Sequence, residues 1–133
     1  MKVVLCNGCF DILHIGHIQH LREAREMGDK LVLALTADDG VRRKGPDRPF
    51  NTWSDRALVL MELRCVDSVI WSDSAVQSIR DVKPAYFVKG IDYMDGNHFT
   101  ENVIDACAEV GAELKFTSAP KRSVAEIIKK AAA

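Results

Sequence analysis

Residues 10–17 read F-D-I-L-H-I-G-H and mark the passage from a first strand to a first helix in this 133-residue chain. The apolar residues 2–6 precede this stretch, and a segment with helical spacing of apolar residues follows it. His14 and His17 are therefore expected at the first turn of a helix, where backbone N–H groups and the positive end of the helix dipole favour an anion. Gly16 lacks a Cβ atom, so the backbone can approach a large ligand closely. The pattern predicts a phosphate-binding site with two imidazole donors.

Apolar runs bounded by turn residues alternate with amphipathic segments along the chain. Strands are predicted at residues 2–6, 30–36, 67–71, 85–89 and 112–117. Helices are predicted at residues 16–27, 53–64, 74–82, 100–110 and 123–130. Alternation with right-handed crossovers predicts an α/β fold, a Rossmann-like open parallel sheet of five strands with helices on both faces. Ligands of such sheets bind beyond the carboxyl ends of the strands, where residues 10–17 are expected to lie.

Composition limits the class of protein. Because the chain has 133 residues, of which 47% are hydrophobic, residues 1–133 are expected to form a single domain. A net charge of −1 provides no general attraction for nucleic acid. The first apolar run is too short for an export signal, and no run approaches the roughly 18 apolar residues of a membrane span. We therefore expect a cytoplasmic protein that binds neither nucleic acid nor membrane.

Four cysteines, at positions 6, 9, 65 and 107, are expected to be thiols. Cys6 and Cys9 form a C-x-x-C between a strand and a helix, a spacing also typical of thioredoxin-like redox sites. The Trp and Pro that usually flank such sites are missing here, and Cys6 ends a strand, where a thiol is a small apolar side chain. A zinc site that includes His14 and His17 is disfavoured because only four residues separate Cys9 from His14. No metal ligands are predicted.

Two common nucleotide-binding motifs are missing from the sequence. It contains no G-x-x-x-x-G-K-[ST], and the segment after the first strand has no G-x-G-x-x-G. A P-loop enzyme and a dinucleotide-binding dehydrogenase are therefore disfavoured, and phosphates must be held by other residues.

Residues 7–17 resemble the signature of the cytidylyltransferase-like nucleotidylyltransferases, enzymes that join a nucleoside triphosphate to a phosphorylated acceptor and release pyrophosphate. Three further segments resemble the adenylyltransferase domain of ADP-heptose synthases: residues 43–49 (R-K-G-P-D-R-P), residues 55–67 and residues 88–93 (V-K-G-I-D-Y). Glycerol-3-phosphate cytidylyltransferases share nearly the same frame at the N-terminal end. The resemblance runs from about residue 3 to residue 93 and fits more loosely beyond it.

The resemblance implies a set of site residues. His14 and His17 are expected to donate to the transferred phosphoryl group, and Lys44 to reach the β- and γ-phosphates. Arg56 and Arg64 are eight residues apart on one predicted helix, roughly two turns, so both can point the same way. The resemblance implies that they hold substrate phosphates or organise the site, and surface salt bridges are the alternative. The remaining residues expected to bind nucleotide or substrate are Cys9, Phe10, Asp11, Gly16, Lys89, Gly90, Asp92, Arg122 and Ser123.

Two acidic residues and one further histidine leave several interpretations open. Asp11 and Asp67 are short acids at the ends of elements, and they either orient the cations, help to place a magnesium ion or cap the elements. His20 continues the spacing of three from His14 and His17 but lies a full turn into the predicted helix. We interpret it as a surface residue.

The C-terminal end departs from the family pattern. Relatives usually carry a Ser/Thr-rich stretch at the start of the last helix, whereas residues 119–126 read A-P-K-R-S-V-A-E here. Ser123 fits the hydroxyl pattern, and Lys121 and Arg122 are expected to supply charge where hydroxyls are lost.

The sequence thus predicts a nucleotidylyltransferase that uses Mg²⁺ together with the triphosphate. ATP and a sugar 1-phosphate are favoured as substrates. CTP with glycerol 3-phosphate or another phosphorylated alcohol is the alternative, and a non-catalytic nucleotide-binding module is the third hypothesis. His14, His17, Lys44 and Arg56 argue against that module, and the family resemblance further implies a homodimer.

Overall fold

A computed structural model describes residues 1–43, 45–91, 101–119 and 124–132. Within these residues the strands are β1 (Val3–Gly8), β2 (Lys30–Thr36), β3 (Ser68–Ser72), β4 (Tyr86–Lys89) and β5 (Glu113–Phe116). The helices are α1 (Ile15–Glu26), α2 (Asp38–Arg42), α3 (Trp53–Met61), α4 (Ala75–Val82), α5 (Glu101–Val110) and α6 (Val124–Ala132).

The five strands form one sheet in the order β3-β2-β1-β4-β5, and every neighbouring pair is parallel. The chain moves outward from β1 through β2 to β3, then returns to the other side of β1 for β4 and β5. The strand order therefore switches between β1 and β4, where a crevice opens beyond the carboxyl ends of these strands. The predicted α/β Rossmann-like fold is confirmed.

Helices cover both faces of the sheet. Leu21 and Ala24 of α1 pack with Ala57 and Leu60 of α3 on one face. Ile79 of α4 and residues 106–107 of α5 pack on the other face. β2 lies inside the sheet, and its residues 31–35 are all buried, as the unbroken apolar run predicts.

Helix boundaries follow local capping chemistry. Thr52 caps α3 by accepting a hydrogen bond from the backbone N–H of Asp55 at 3.3 Å. Ser74 caps α4 in the same way. The helix α2 was not predicted, because five residues that include Gly40 are too few to show an apolar period. The C-terminal boundary of α3 was predicted at Arg64, but the helix ends at Met61.

The outer face of α3 is apolar and exposed. Leu58, Val59 and Met61 have relative exposures of 64%, 53% and 60%. In the part of the chain that the structure describes, no helix has both the length and the apolar character needed to cross a bilayer.

Candidate active site

The two histidines of H-x-G-H form the N-terminal cap of α1. His14 is the N-cap residue, and its Nδ1 accepts from the backbone N–H of Gly16 at 3.1 Å. His17 reaches back, so that its Nδ1 accepts from the backbone N–H of His14 at 3.4 Å. This is a capping box built from two imidazoles, where a hydroxyl residue and a Glu or Gln are more usual. The predicted position of the motif at the start of the first helix is therefore observed.

Capping determines which nitrogen of each ring carries the proton. An imidazole nitrogen that accepts a hydrogen bond holds no proton, so the neutral forms of His14 and His17 are protonated at Nε2. The rings stack with their centroids 3.8 Å apart and their planes inclined by 22°. Two Nε2–H donors are thus held side by side at the carboxyl end of β1, on the positive end of the α1 dipole.

The ring of Phe10 packs against the histidine pair through a contact with His17. Its ring is buried and lies edge-on to His17, with centroids 5.1 Å apart. The backbone of Phe10 has a φ of 45°, an uncommon value for a residue with a side chain. A Cβ atom on Gly8 would lie 2.7 Å from Cε2 of this ring, so the ring needs a glycine at that position. Gly16 is buried, and its N–H is occupied by the cap of His14.

Arg56 is buried and joins three separate segments of the chain. Its relative exposure is 1%, and Nη1 donates to the carbonyl oxygens of Cys9 at 2.8 Å and Thr36 at 2.9 Å. Nε donates to the carbonyl oxygen of Asn51 at 3.0 Å, and Nη2 pairs with Asp38 at 2.6 Å. The resemblance left two roles for Arg56, to hold phosphates or to organise the site, and these contacts fit the second role. The contribution of Asp38 and Asn51 was missed because neither stands in a recognisable motif.

Arg64 lies at the other end of the sheet. Because α3 ends at Met61, Arg64 is exposed in the turn that leads to β3, at the amino ends of the strands. The predicted helix allowed Arg56 and Arg64 to point the same way, but the observed helix ends before Arg64. Asp67 lies at the same end, where its carboxylate accepts from the N–H of Leu31 at 2.7 Å and pairs with Arg25 at 3.0 Å. The structure brings neither Arg64 nor Asp67 to the histidines.

Lys89 and Gly90 lie on the other side of the crevice. Nζ of Lys89 donates to the carbonyl oxygen of Asn7 at 3.0 Å, which joins the ends of β4 and β1. Asn7 in turn donates to Ser72 Oγ at 2.8 Å, beyond β2. Both Lys89 and Gly90 are half-buried. Lys44, Asp92, Arg122 and Ser123 lie outside the described residues.

Asp11 is buried, and both of its carboxylate oxygens are engaged by main-chain donors. The N–H of Phe50 lies 2.7 Å from Oδ2, and that of Asn51 lies 2.9 Å from Oδ1. Cys9, which precedes this turn, is half-buried and provides its carbonyl oxygen to Arg56. Among the described residues, no three His, Cys, Asp or Glu side chains are grouped closely enough to hold a metal ion.

The environment of Cys6 favours a structural role. Its side chain is completely buried, and burial raises the pKa of the thiol to about 12. Such a thiol stays protonated at neutral pH, whereas redox cysteines have a lowered pKa. All four cysteines are free thiols.

His20 has a structural partner that sequence analysis missed. Its Nδ1 is hydrogen-bonded to the hydroxyl of the buried Thr117, just after β5. One turn further along α1, Glu23 accepts from the N–H of Ser118 at 2.9 Å. α1 therefore holds the segment that leads to the last helix, and His20 is not simply a surface residue.

A sheet of this topology, with a capped H-x-G-H at its strand-order switch, defines an α/β domain of the nucleotide-binding class. The family model described as cytidylyltransferase-like matches residues 5–127. The chain belongs to this family, and the predicted class of enzyme, a nucleotidyltransferase, is confirmed.

Individual relatives agree with this assignment. The chain is 44% identical over 110 residues to the bifunctional protein HldE of Helicobacter hepaticus. The aligned stretch covers 77% of this chain and 23% of that protein. It is 50% identical over 95 residues to HldE of Campylobacter concisus, and this alignment covers 69% of this chain and 20% of that protein. The chain thus spans less than a quarter of the length of these relatives. A lipopolysaccharide core biosynthesis protein from Thermoplasma volcanium superposes with a TM-score of 0.75 at 26% identity, covering 91% of this chain and 99% of that one.

Proposed function

We propose that this protein transfers a nucleoside monophosphate from a triphosphate to a phosphorylated acceptor, with ATP and a sugar 1-phosphate as the substrates. The observation that carries this proposal is the pair of Nε2–H donors that the capping box holds at the strand-order switch. Similarity to HldE and to a lipopolysaccharide core biosynthesis protein supports a sugar phosphate as the acceptor.

In the proposed reaction an oxygen of the acceptor phosphate attacks the α-phosphorus of the triphosphate. A new P–O bond forms, the bond to the bridging oxygen breaks, and pyrophosphate leaves with the electron pair. Negative charge develops on the α-phosphate oxygens, where His14 and His17 donate hydrogen bonds from Nε2. The protein positions the reactants and stabilises charge, so no covalent intermediate is required.

The other predicted site residues have supporting roles in this proposal. Arg56 organises the loops around the histidines, while Lys44 binds the β- and γ-phosphates. The nucleotide is bound from the β4 side by Lys89, Gly90 and Asp92, and from the C-terminal side by Arg122 and Ser123. Mg²⁺ enters with the triphosphate as part of the substrate, which agrees with the occupied carboxylate of Asp11.

We further propose that the protein is a homodimer and acts in the cytoplasm. The exposed apolar side chains of Leu58, Val59 and Met61 on α3 support a second copy of the chain as the partner. Gel filtration with light scattering tests the dimer, and Leu58→Glu with Met61→Glu is the variant expected to give a monomer.

The cytidylyltransferase-like family model favours a second candidate, in which CTP reacts with a phosphorylated alcohol such as glycerol 3-phosphate. A pyrophosphate-release assay separates the candidates. The four ribonucleoside triphosphates are each combined with heptose 1-phosphate, glucose 1-phosphate or glycerol 3-phosphate in the presence of Mg²⁺. Release that requires ATP and a sugar 1-phosphate supports the main proposal, and release that requires CTP and glycerol 3-phosphate supports the second. Nucleotide binding without release in any combination indicates a non-catalytic module.

A further inference from the structure

The connection between α2 and α3 is fastened to the H-x-G-H segment by a dense set of hydrogen bonds. Asp11 accepts from the main-chain N–H groups of Phe50 and Asn51 at 2.7 and 2.9 Å. In return, Nδ2 of Asn51 donates to the carbonyl oxygen of Asp11 at 2.8 Å. Two segments about 40 residues apart in sequence are thus joined in both directions, at a position where the Asp11 side chain is buried.

The carboxylate of Asp11 is well suited to this position. Phe50 and Asn51 directly precede Thr52, the N-cap of α3, so their N–H groups lie at the positive end of that helix. A charged acceptor forms stronger hydrogen bonds with amide groups than a neutral one does. Arg56 adds a second tie, because it donates to the carbonyl oxygens of both Cys9 and Asn51.

The fastened connection is rich in cations. Residues 43–48, which directly follow α2, read R-K-G-P-D-R. On the described part of this stretch, Arg43 is exposed, and Arg48 lies against the ring of Phe50 at 5.4 Å. Phe50 is also one of the two residues whose amides Asp11 holds. The position of this basic connection relative to the histidines therefore depends on Asp11.

We propose that Asp11 is a positioning residue that holds the basic connection between α2 and α3 against the H-x-G-H segment, so that the cations of the connection meet the triphosphate. Asp11 itself contacts no phosphate. This proposal rests on the proposed function, because it assumes a triphosphate in the crevice.

The decisive variant is Asp11→Asn, which leaves one amide N–H facing a side-chain NH₂ group. We expect trypsin to cleave the free protein within residues 43–48 at least about ten times faster than it cleaves the wild type, since cleavage follows the population of the opened connection. We also expect the KM for the triphosphate to rise about tenfold or more, with kcat reduced less, because a ground-state contact is lost. A general loss of stability would instead speed cleavage throughout the chain, without a selective rise in KM.

Asp55→Asn is the matched control. Asp55 and Asp11 line the same cavity of about 220 Å³, but Asp55 is exposed. Removal of its charge should leave cleavage and KM within about twofold of the wild type, as for other exposed substitutions. Should Asp11→Asn fail to fold, Asn51→Ala serves instead, because it removes the return hydrogen bond and keeps both main-chain amides. It should accelerate cleavage by a smaller factor.

The outcomes are distinct. Cleavage of Asp11→Asn at the wild-type rate, or faster cleavage with an unchanged KM, overturns the proposal. A wild type that transfers no nucleotide defeats the proposed function, and the trypsin experiment then still decides whether Asp11 holds the connection.

Discussion

The imidazole rings of His14 and His17 stack at 3.8 Å because each ring closes one half of the same capping box. The same two side chains therefore cap α1 and serve as the proposed transition-state donors. Substitution by alanine removes the cap and the donor together, so an alanine variant alone cannot separate folding from chemistry.

His14→Asn separates the two roles. Asparagine is among the best N-cap residues, so the free energy of unfolding should stay within about 0.5 kcal/mol of the wild type. The Nε2–H donor is lost, and kcat should fall by about 10²-fold or more, as for the loss of an oxyanion donor. His14→Ala should show the same loss of kcat and about 1 kcal/mol of destabilisation. Steady-state kinetics and urea unfolding of both variants test this, and a wild-type kcat for His14→Asn would remove His14 from the chemistry.

Arg56 should be required for folding as well as for activity. Arg56→Ala leaves three carbonyl oxygens without their donor, and each buried acceptor left unsatisfied costs about 1–3 kcal/mol. Asp38 also loses its partner, but its side chain is 33% exposed, so water replaces much of that interaction. Arg56→Lys keeps the charge but not the planar fork, so it should recover only part of this stability. Urea unfolding measures both, with Arg64→Ala as the exposed control. If Arg56→Ala were as stable as Arg64→Ala, these contacts would have no energetic role.

Gly8→Ala tests whether the ring of Phe10 must lie where it does. The added Cβ would approach that ring to 2.7 Å, and overpacking of this kind costs about 1–3 kcal/mol. We expect kcat to fall as well, because the ring supports His17. The double variant Gly8→Ala with Phe10→Leu, compared with Phe10→Leu alone, shows whether the clash is the cause. Equal losses in the two backgrounds would contradict it.

Cys6 should resist alkylation in the native protein. With a pKa of about 12, only about 10⁻⁴ of the Cys6 thiol is ionised at pH 8, against roughly a quarter of an ordinary thiol with a pKa of 8.5. The thiolate is the reactive form, so the rate should rise with pH up to this value unless the protein unfolds. Mass spectrometry after iodoacetamide treatment at pH 8 measures each cysteine, with a sample in urea as the control. Rapid native labelling of Cys6 would reopen the redox interpretation of C-x-x-C.

Kinetics can distinguish the expected roles of Lys44 and Arg122. If Lys44 follows charge onto the departing pyrophosphate, Lys44→Ala lowers kcat and raises KM for the triphosphate. The family resemblance implies that Arg122 stands where relatives carry hydroxyl groups that bind the nucleotide, so we expect Arg122→Ala to raise KM and leave kcat nearly unchanged. Steady-state rates at varied triphosphate test both variants. Unchanged parameters for Arg122→Ala would mean that the altered C-terminal segment takes no part in binding.

The sheet could be predicted from sequence because strands buried on both faces leave a local pattern. β2 is an unbroken apolar run, and its predicted and observed bounds agree. H-x-G-H was also located correctly, since the strand β1, a short turn and the helix α1 follow one another directly along the chain. Both are properties of neighbouring residues.

Arg56 and Arg64 show where local patterns fail. The acceptors of Arg56 come from Cys9, Thr36 and Asn51, and no spacing within α3 reveals that these carbonyl groups converge on one guanidinium. Arg64 was misplaced because apolar residues continue past Met61 without a glycine or proline to mark the end of the helix. Burial of a charge and the exact end of a helix both depend on tertiary contacts.

The length of α1 has a mechanical consequence. Twelve helical residues form a stiff rod about 18 Å long, with the histidine cap at its tip and His20 and Glu23 farther along its shaft. His20 and Glu23 are hydrogen-bonded to Thr117 and Ser118, so α1 connects the histidine cap to the residues that follow β5. A tilt of α1 would therefore move the histidine cap and the residues that follow β5 together, rather than one without the other.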